Sequence, residues 1–248
     1  MQQYFVNGNA EQLVTIEDKD TIKHMFNVMR LTEGDEVVLV FDDAIKRLAK
    51  VADSSAHQFE VLKELDSNVE MPVQVTIASG FPKGDKLDLV TQKATELGAA
   101  AIWAFPADWS VVKWDGKKLA KKEDKLAKIA LGAAEQSKRN RVPEVRLFEK
   151  KAGFVVSLSD FDKIFIAYEE SAKAGELSAL AQHLQTVQAG QKLLFIFGPE
   201  GGISPKEIET FEKAGAIKVG LGPRIMRTET APFYALSAVS FATEMMGK

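Results

Sequence analysis

Two stretches of the chain gather residues that can do chemistry. The first is Phe197-Gly198-Pro199-Glu200-Gly201-Gly202-Ile203-Ser204-Pro205-Lys206-Glu207. It leaves an apolar run, KLLFIF (Lys192 to Phe197), that reads as a buried strand. Its three glycines permit backbone conformations and a close ligand approach that a Cβ would block. Ser204, Pro205 and Glu207 have the spacing of an N-cap, an N1 proline and the N3 partner of a capping box, so a helix should open there. A glycine-rich loop between the C-terminal end of a strand and a helix start is where open α/β sheets bind ligands. The spacing is neither G-x-G-x-x-G nor a P-loop, which argues against an ordinary dinucleotide or ATP site. A plain turn would use the glycines but has no need of Glu200.

The second stretch is Leu221-Gly222-Pro223-Arg224-Ile225-Met226-Arg227-Thr228-Glu229-Thr230-Ala231-Pro232. It follows a strand-like IKVGL (Ile217 to Leu221) and precedes a helix expected over roughly Phe233 to Met246. Arg224, Arg227 and Glu229 fall within six residues. Arg stays charged and only donates hydrogen bonds, so a clustered pair suits phosphate, carboxylate or a developing anion. Local Arg–Glu pairing with a Thr230 helix cap would account for the same residues without a ligand. A third stretch, Ala133 to Pro143, holds Gln136, Arg139, Asn140 and Arg141 at an expected helix end. These types make phosphate and base contacts. A basic helix C-terminus is also favoured by the helix dipole, which explains the charge but not Gln136 and Asn140.

The elements that must position these residues fall into two patterns. Residues 1–65 read as short strands, YFV (Tyr4 to Val6), EVVLVF (Glu36 to Phe41), RLAKVA (Arg47 to Ala52) and FEVLKEL (Phe59 to Leu65), consistent with a small β-barrel. One helical piece interrupts them, with Asp20 as cap and Ile22, Met25, Phe26 and Met29 on one face. Asp66 to Pro72 reads as a linker. Beyond it strands alternate with helices: VQVTIAS (Val73 to Ser79), AAIWAF (Ala100 to Phe105), KIFIAY (Lys163 to Tyr168), KLLFIF and IKVGL. That alternation predicts a parallel sheet covered on both faces. A helix with Leu87, Val90, Ala94 and Leu97 on one face should stop at Gly98. Another, over 119–137, should turn Leu119, Leu126, Ile129, Ala130 and Ala133 inward and present Lys118, Lys121, Lys125 and Lys128 as a basic stripe.

Composition sets outer bounds. The chain has 248 residues, 46% of them hydrophobic and 27% charged, which excludes disordered, collagen-like and coiled-coil chains. With no Cys, a disulfide framework, a thiolate nucleophile and thiolate metal sites are excluded. His24, His57 and His183 are too scattered to form a metal site, and no metal is expected. The opening residues lack a secretory pattern and no apolar run is long enough to span a membrane, so a soluble, cytoplasmic protein is expected. The net charge of −3 conceals an asymmetry. Residues 1–70 hold seven Lys/Arg against fourteen Asp/Glu, whereas residues 113–151 hold thirteen against six. A local basic segment favours a nucleic-acid partner, although such a run can be merely a solvated helix face.

GPEGGIS and LGPRIMRTETAP, with LVTQKATELG, AAEQSKRNRVPEV, MQQYFV, HMFNVMRLTEGDEV (His24 to Val37) and SVVKWDGKK (Ser110 to Lys118), resemble the 16S ribosomal RNA uridine-N3 methyltransferase family. These are SPOUT-class, S-adenosylmethionine-dependent enzymes. The resemblance covers nearly the whole chain. It implies an α/β protein with a PUA-like β-barrel for RNA recognition over residues 1–70. Residues 71–248 would be a SPOUT methyltransferase domain whose end is threaded into a trefoil knot, an arrangement very rare among folds. It also implies a homodimer and 16S rRNA of the small ribosomal subunit as partner. The donor site would comprise Phe197, Gly198, Pro199, Gly201, Gly202, Leu221, Gly222, Ile225, Met226 and Thr228. Arg227 or Arg224 would stabilise charge developing on the uracil carbonyls, and Glu229 or Glu200 would take the N3 proton. Arg30, Lys113, Lys118, Lys121, Lys125, Gln136, Arg139, Asn140 and Arg141 would hold the RNA, with Trp109 or Trp114 available for stacking and Trp103 as core. Two positions depart from the family pattern: Gln3 and Trp109 stand where Arg is expected. The competing readings are a SPOUT enzyme acting on another RNA position, a non-catalytic RNA-binding or ribosome-assembly factor, and a metabolic enzyme with no use for the lysine stripe.

Overall fold

The structure is a computed structural model that describes residues 1–168 and 179–246. The chain divides into two compact units. One comprises Met1–Glu70 together with Ala134–Arg141, the other Met71–Ala133 together with Val142–Lys248. Residues 134–141 therefore belong with the N-terminal unit, although they lie far along the chain.

The first unit is built on β1 (Gln3–Phe5), β2 (Leu13–Thr15), β3 (Glu36–Val40), β4 (Lys46–Asp53) and β5 (Gln58–Leu65), paired in the order β1-β3-β4-β5-β2. β1 runs parallel to β3 and the other pairs are antiparallel. Register shifts between Leu48/Ala49 and Val51/Asp53 are bulge-like, and bulges increase twist and curl a sheet. The β-barrel expected from the sequence is here a half-barrel, since β1 and β2 end the order and do not pair among the described residues. A short helix, α1 (Lys19–Ile22), continues as a π-helical stretch over Lys23–Val28. Its cap is Asp18, whose side chain accepts from the Thr21 N–H at 2.7 Å, not Asp20. Met25 is fully buried with Tyr4, Val37, Leu39 and Phe59, while Ile22 and Phe26 pack on that core.

Residues 134–141 are bound into this unit by a buried charge pair. The Arg139 guanidinium donates from Nε to both Glu70 carboxylate oxygens at 2.9 and 3.0 Å, and from Nη2 to one of them. Asn140 and Arg141 donate their backbone N–H groups to the same carboxylate at 2.8 and 3.2 Å. The Asn140 side chain donates to the carbonyls of Ala44 and Ser67 and accepts from the Val69 N–H. Gln3 is buried and donates from Nε2 to the Arg139 carbonyl at 2.7 Å. Burial works to raise the Glu70 carboxyl, but Arg139 and these N–H donors outweigh it and leave it below the usual carboxylate range.

The second unit is a six-stranded, all-parallel sheet in the order β11-β9-β10-β6-β7-β8. Its strands are β6 (Gln74–Gly80), β7 (Ala101–Phe105), β8 (Glu144–Leu147), β9 (Lys163–Ala167), β10 (Lys192–Phe197) and β11 (Ala216–Val219). β8 and the thin, exposed β2 carried too little apolar pattern to be anticipated. Helices α2 (Lys86–Glu96), α3 (Gly116–Gln136), α4 (Lys151–Val156), α5 (Ala179–Gln185), α6 (Pro205–Lys213) and α7 (Ala231–Ser240) accompany the sheet. Strands buried on both faces read as continuous apolar runs, as β10 does. One face packs Val75, Ile77, Phe165, Phe195 and Leu236, and the other Phe105, Phe154, Ile164, Leu194 and Phe211. In α2, Leu87, Val90 and Ala94 are buried as expected, and Gly98 takes φ +91° just past the helix end.

Candidate functional site

A cleft of about 710 Å³ opens beyond the C-terminal ends of β9 and β10. That size falls in the range of small-molecule and cofactor sites. Three segments line it: Ala167 and Tyr168 at the end of β9, Phe197 to Ile203 with Pro205 at the end of β10 and beyond, and Ile225 to Thr228 with Ala231 leading into α7, with Lys86 and Trp109 at the side. The β10 loop is shaped by glycine. A Cβ on Gly198 would lie 2.6 Å from the Gly202 carbonyl carbon, and Gly202 sits at φ +81°. The loop ends in the capping box foreseen from the sequence. Ser204 Oγ accepts from the Glu207 N–H at 3.2 Å, and the Glu207 carboxylate accepts from the Ser204 N–H at 3.0 Å.

The Trp109 loop is fastened to this helix start. Ser204 Oγ donates to Asp108 at 2.6 Å, the Asp108 N–H donates to Glu207 at 2.8 Å, and Lys151 bridges Asp108 and Glu207. The Lys151 ammonium, then the Ser204 hydroxyl, hold the Asp108 carboxyl below its ordinary range. Trp109 is 48% exposed and its Cβ stands 3.0 Å from where a Gly201 Cβ would be. It thus packs on the glycine loop while presenting ring surface outward.

The charged groups of the two loops divide cleanly. Glu200 Oε1 lies 2.9 Å from Lys86 Nζ and also accepts from the Lys83 N–H at 3.1 Å. Glu229 Oε2, buried, lies 3.3 Å from the same Nζ, an ion-pair distance without a directed hydrogen bond. Burial works to raise the Glu200 carboxyl, but Lys86 and backbone N–H donors outweigh it and lower it. The Glu229 carboxyl is lowered by its own backbone N–H, then against burial by Lys86 and Arg227. Arg224 and Arg227 are exposed and make no ion pair among the described residues. The local Arg–Glu pairing that could have explained this loop is therefore absent, because Glu229 turns to Lys86.

The cleft walls suit a nucleoside-bearing ligand. Phe197, Ile203, Ile225 and Met226 offer apolar surface for a ring, and the glycine backbone offers N–H and C=O groups. A family model described as an RNA methyltransferase domain matches residues 69–240, and one described as an RNA methyltransferase PUA domain matches residues 16–64. A curated relative from Bacillus subtilis, ribosomal RNA small subunit methyltransferase E, is 43% identical over 99% of this chain and 98% of its own length. The chain belongs to the ribosomal RNA small subunit methyltransferase E family. A structure from Legionella pneumophila in complex with the cofactor SAM is 28% identical, with TM-score 0.81 over 97% of each chain. The family's Neisseria gonorrhoeae member, bound to S-adenosyl methionine, is 26% identical, with TM-score 0.78 over 97% of each chain.

Against that family frame, the residues singled out from sequence sort by position. Phe197, Gly198, Pro199, Glu200, Gly201, Gly202, Ile225, Met226, Arg227 and Thr228 line the cleft. Leu221 and Gly222 do not: Leu221 packs on the core, and Gly222, at φ +94°, turns the chain beside the Tyr234 hydroxyl. Arg224 and Glu229 flank the lining residues in the same loop. Lys113, Lys118 and Lys121 are exposed, as is Arg30 in the first unit. Lys125 is paired with Asp88, so it is not a free cation. Gln136 and Arg141 are exposed, but Arg139 and Asn140 are 3% and 6% exposed and bonded inside the first unit. Their side chains hold the fold and are not available to RNA. Gln3 is likewise structural, so its departure from Arg removes no surface cation. Trp114 packs on Phe81, with ring centroids 4.4 Å apart, beneath Lys122, and Trp103 is buried against Phe148 and Phe161. Lys86 was missed from sequence because it reads as an ordinary first-turn helix lysine.

Proposed function

We propose that this protein methylates N3 of a uridine in the RNA of the small ribosomal subunit, with S-adenosylmethionine as donor. The observation that carries the reading is the glycine-walled cleft flanked by two arginines without ion-pair partners among the described residues. Bound in the cleft, the donor supplies an electrophilic methyl on a sulfonium centre. The glycine loop would hold the donor through its backbone N–H and C=O groups, and Ile225 and Met226 would give its apolar part a surface to pack on. Trp109 gives the incoming base a face to stack on, a role that unpaired bases commonly find in aromatic side chains.

Uridine N3 carries an imide proton and becomes nucleophilic as that proton leaves. Arg227 or Arg224 stabilises the negative charge spreading onto the uracil carbonyls. Glu229 or Glu200 accepts the proton directly or through water. Holding N3 in line with the methyl supplies much of the remaining acceleration. Lys113, Lys118 and Lys121 hold the RNA backbone by phosphate contact.

The finer features of the reading follow the SPOUT resemblance. The loops after β10 and β11 form a trefoil knot. The protein works as a homodimer in the cytoplasm, where its ribosomal substrate is made. Exposed apolar side chains at the chain's end, among them Tyr234, Phe241 and Met245, support self-association. Light scattering that gave a monomer mass would remove the dimer.

The deciding test incubates the protein with labelled S-adenosylmethionine and small subunits from a strain lacking the modification, then digests the RNA to nucleosides for mass spectrometry. Label in 3-methyluridine is expected. Label in another nucleoside would overturn the N3 assignment. No label, with no donor binding by calorimetry, would overturn methyl transfer.

A further inference from the structure

One side chain outside both glycine-bearing loops touches a carboxylate from each. Lys86 begins α2, and its ammonium lies 2.9 Å from Glu200 in the β10 loop and 3.3 Å from Glu229 in the loop before α7. All three side chains are partly shielded, at 31%, 26% and 16% exposed. The Lys83 N–H on the same approach to α2 adds a second hold on Glu200. We propose that Lys86 is a positioning residue that ties the two loops into the shape that receives the donor and, by holding Glu200 and Glu229, leaves Arg224 and Arg227 free for the substrate. The part concerning the donor rests on the methyltransferase reading.

The geometry argues this in two ways. The two loops lie 29 residues apart in sequence (Glu200 to Glu229), and β9 separates β10 from β11, so no strand pairing joins the loops at their roots. A cation shared by both loops supplies a direct tether. Glu229 also lies two residues from Arg227 and feels its charge. Arg227 is two residues from Glu229 in the same loop, so in the absence of Lys86 a local pair between them would take that guanidinium out of service. The shared ammonium therefore does two things at once: it joins walls of the cleft and decides which charges face the solvent.

The test compares wild type, Lys86→Met and Lys86→Arg, and the Glu200→Gln/Glu229→Gln double variant with and without Lys86→Met. Amide hydrogen exchange on the protein alone reads the tether. Exchange over 199–203 and 225–230 should quicken roughly tenfold in Lys86→Met, with little change over β6 and β10, and should recover in Lys86→Arg. Calorimetry with S-adenosylmethionine should show Kd weakened roughly tenfold in Lys86→Met and restored in good part by Lys86→Arg. In the Glu200→Gln/Glu229→Gln background, adding Lys86→Met should change neither readout further, because the tether is already lost. Unchanged loop exchange in a folded Lys86→Met would overturn the proposal, as would additive effects in the combined variant. Should Lys86→Met not fold, the double glutamine variant, which keeps Lys86, must show the same loop loosening or the proposal falls. If wild type itself fails to bind the donor while the exchange result holds, the tether stands and the methyltransferase reading falls.

Discussion

Two arginine-bearing segments of similar look have opposite fates. Lys138-Arg139-Asn140-Arg141 and Pro223-Arg224-Ile225-Met226-Arg227 each place two guanidiniums within a few residues. In the first, Arg139 is buried and grips Glu70, a partner 69 residues away. In the second, the nearby Glu229 is drawn to Lys86 and both arginines stay exposed. What a cation can do is decided by whether a distant acid claims it, and local sequence does not carry that information.

The largest effect that would break this contrast comes from Glu70→Ala. It leaves Arg139 buried without its carboxylate, so denaturant unfolding should show a loss of about 3–5 kcal/mol. An unchanged midpoint would mean that the pair is not structural. Arg227→Ala should leave stability within about 0.5 kcal/mol of wild type while lowering the single-turnover methylation rate by about 10²–10³-fold. A loss of stability with intact rate would reverse the roles assigned to the two segments. Gln3→Ala orphans the Arg139 carbonyl inside the first unit and should cost about 1–3 kcal/mol without lowering RNA affinity in the folded fraction. Affinity measured by filter binding would expose a direct phosphate role if it fell.

On α3, combined Lys118→Glu and Lys121→Glu should weaken RNA binding and flatten its dependence on log salt by about two units. Lys125→Ala, removing a cation already paired with Asp88, should do less. A pH comparison sharpens the contrast between the two segments further. Burial pushes the Glu135 carboxyl up to about 7, against the pull of the Phe5 backbone and Lys138. A carboxyl raised in the folded state stabilises the fold at low pH, and that contribution is lost as pH rises through about 7. Glu70 acts in the opposite sense, since a lowered carboxyl stabilises above its unfolded pKa and loses this as pH falls. Relative to Glu135→Gln, wild-type melting temperature should therefore decline between about pH 5 and pH 8. A parallel pair of curves would show that Glu135 does not titrate in that window.

What could be read in advance follows the range of the interactions. KLLFIF gave β10 because a strand buried on both faces needs an unbroken apolar run, and the capping box at Ser204 was legible because its partners are three residues apart. Gly98 and the apolar face of α2 were legible for the same reason. β2 is three residues with an exposed pattern, so no local signal marked it. The Asp18 cap was displaced by two residues because both aspartates suit the position, and only the fold distinguishes them. At the site, the glycine loops announced themselves, whereas Lys86 did not. Its importance comes from carboxylates 114 and 143 residues further along, by numbering from Lys86 to Glu200 and Glu229. Arg139 misled for the mirror-image reason, since Glu70 removes it from the surface.

The placement of residues 134–141 with the N-terminal unit has a consequence for how the chain is made. Glu70 and Ser67 are synthesised 69 and 73 residues before their partners Arg139 and Asn140. Until then the Glu70 carboxylate has no buried partner, and closing that contact means ordering a long intervening segment. The half-barrel cannot be completed by its own first seventy residues as they emerge. Its last bonds wait for the helix Gly116–Gln136 and the turn beyond it, so translation order couples the maturation of the first unit to synthesis of the second.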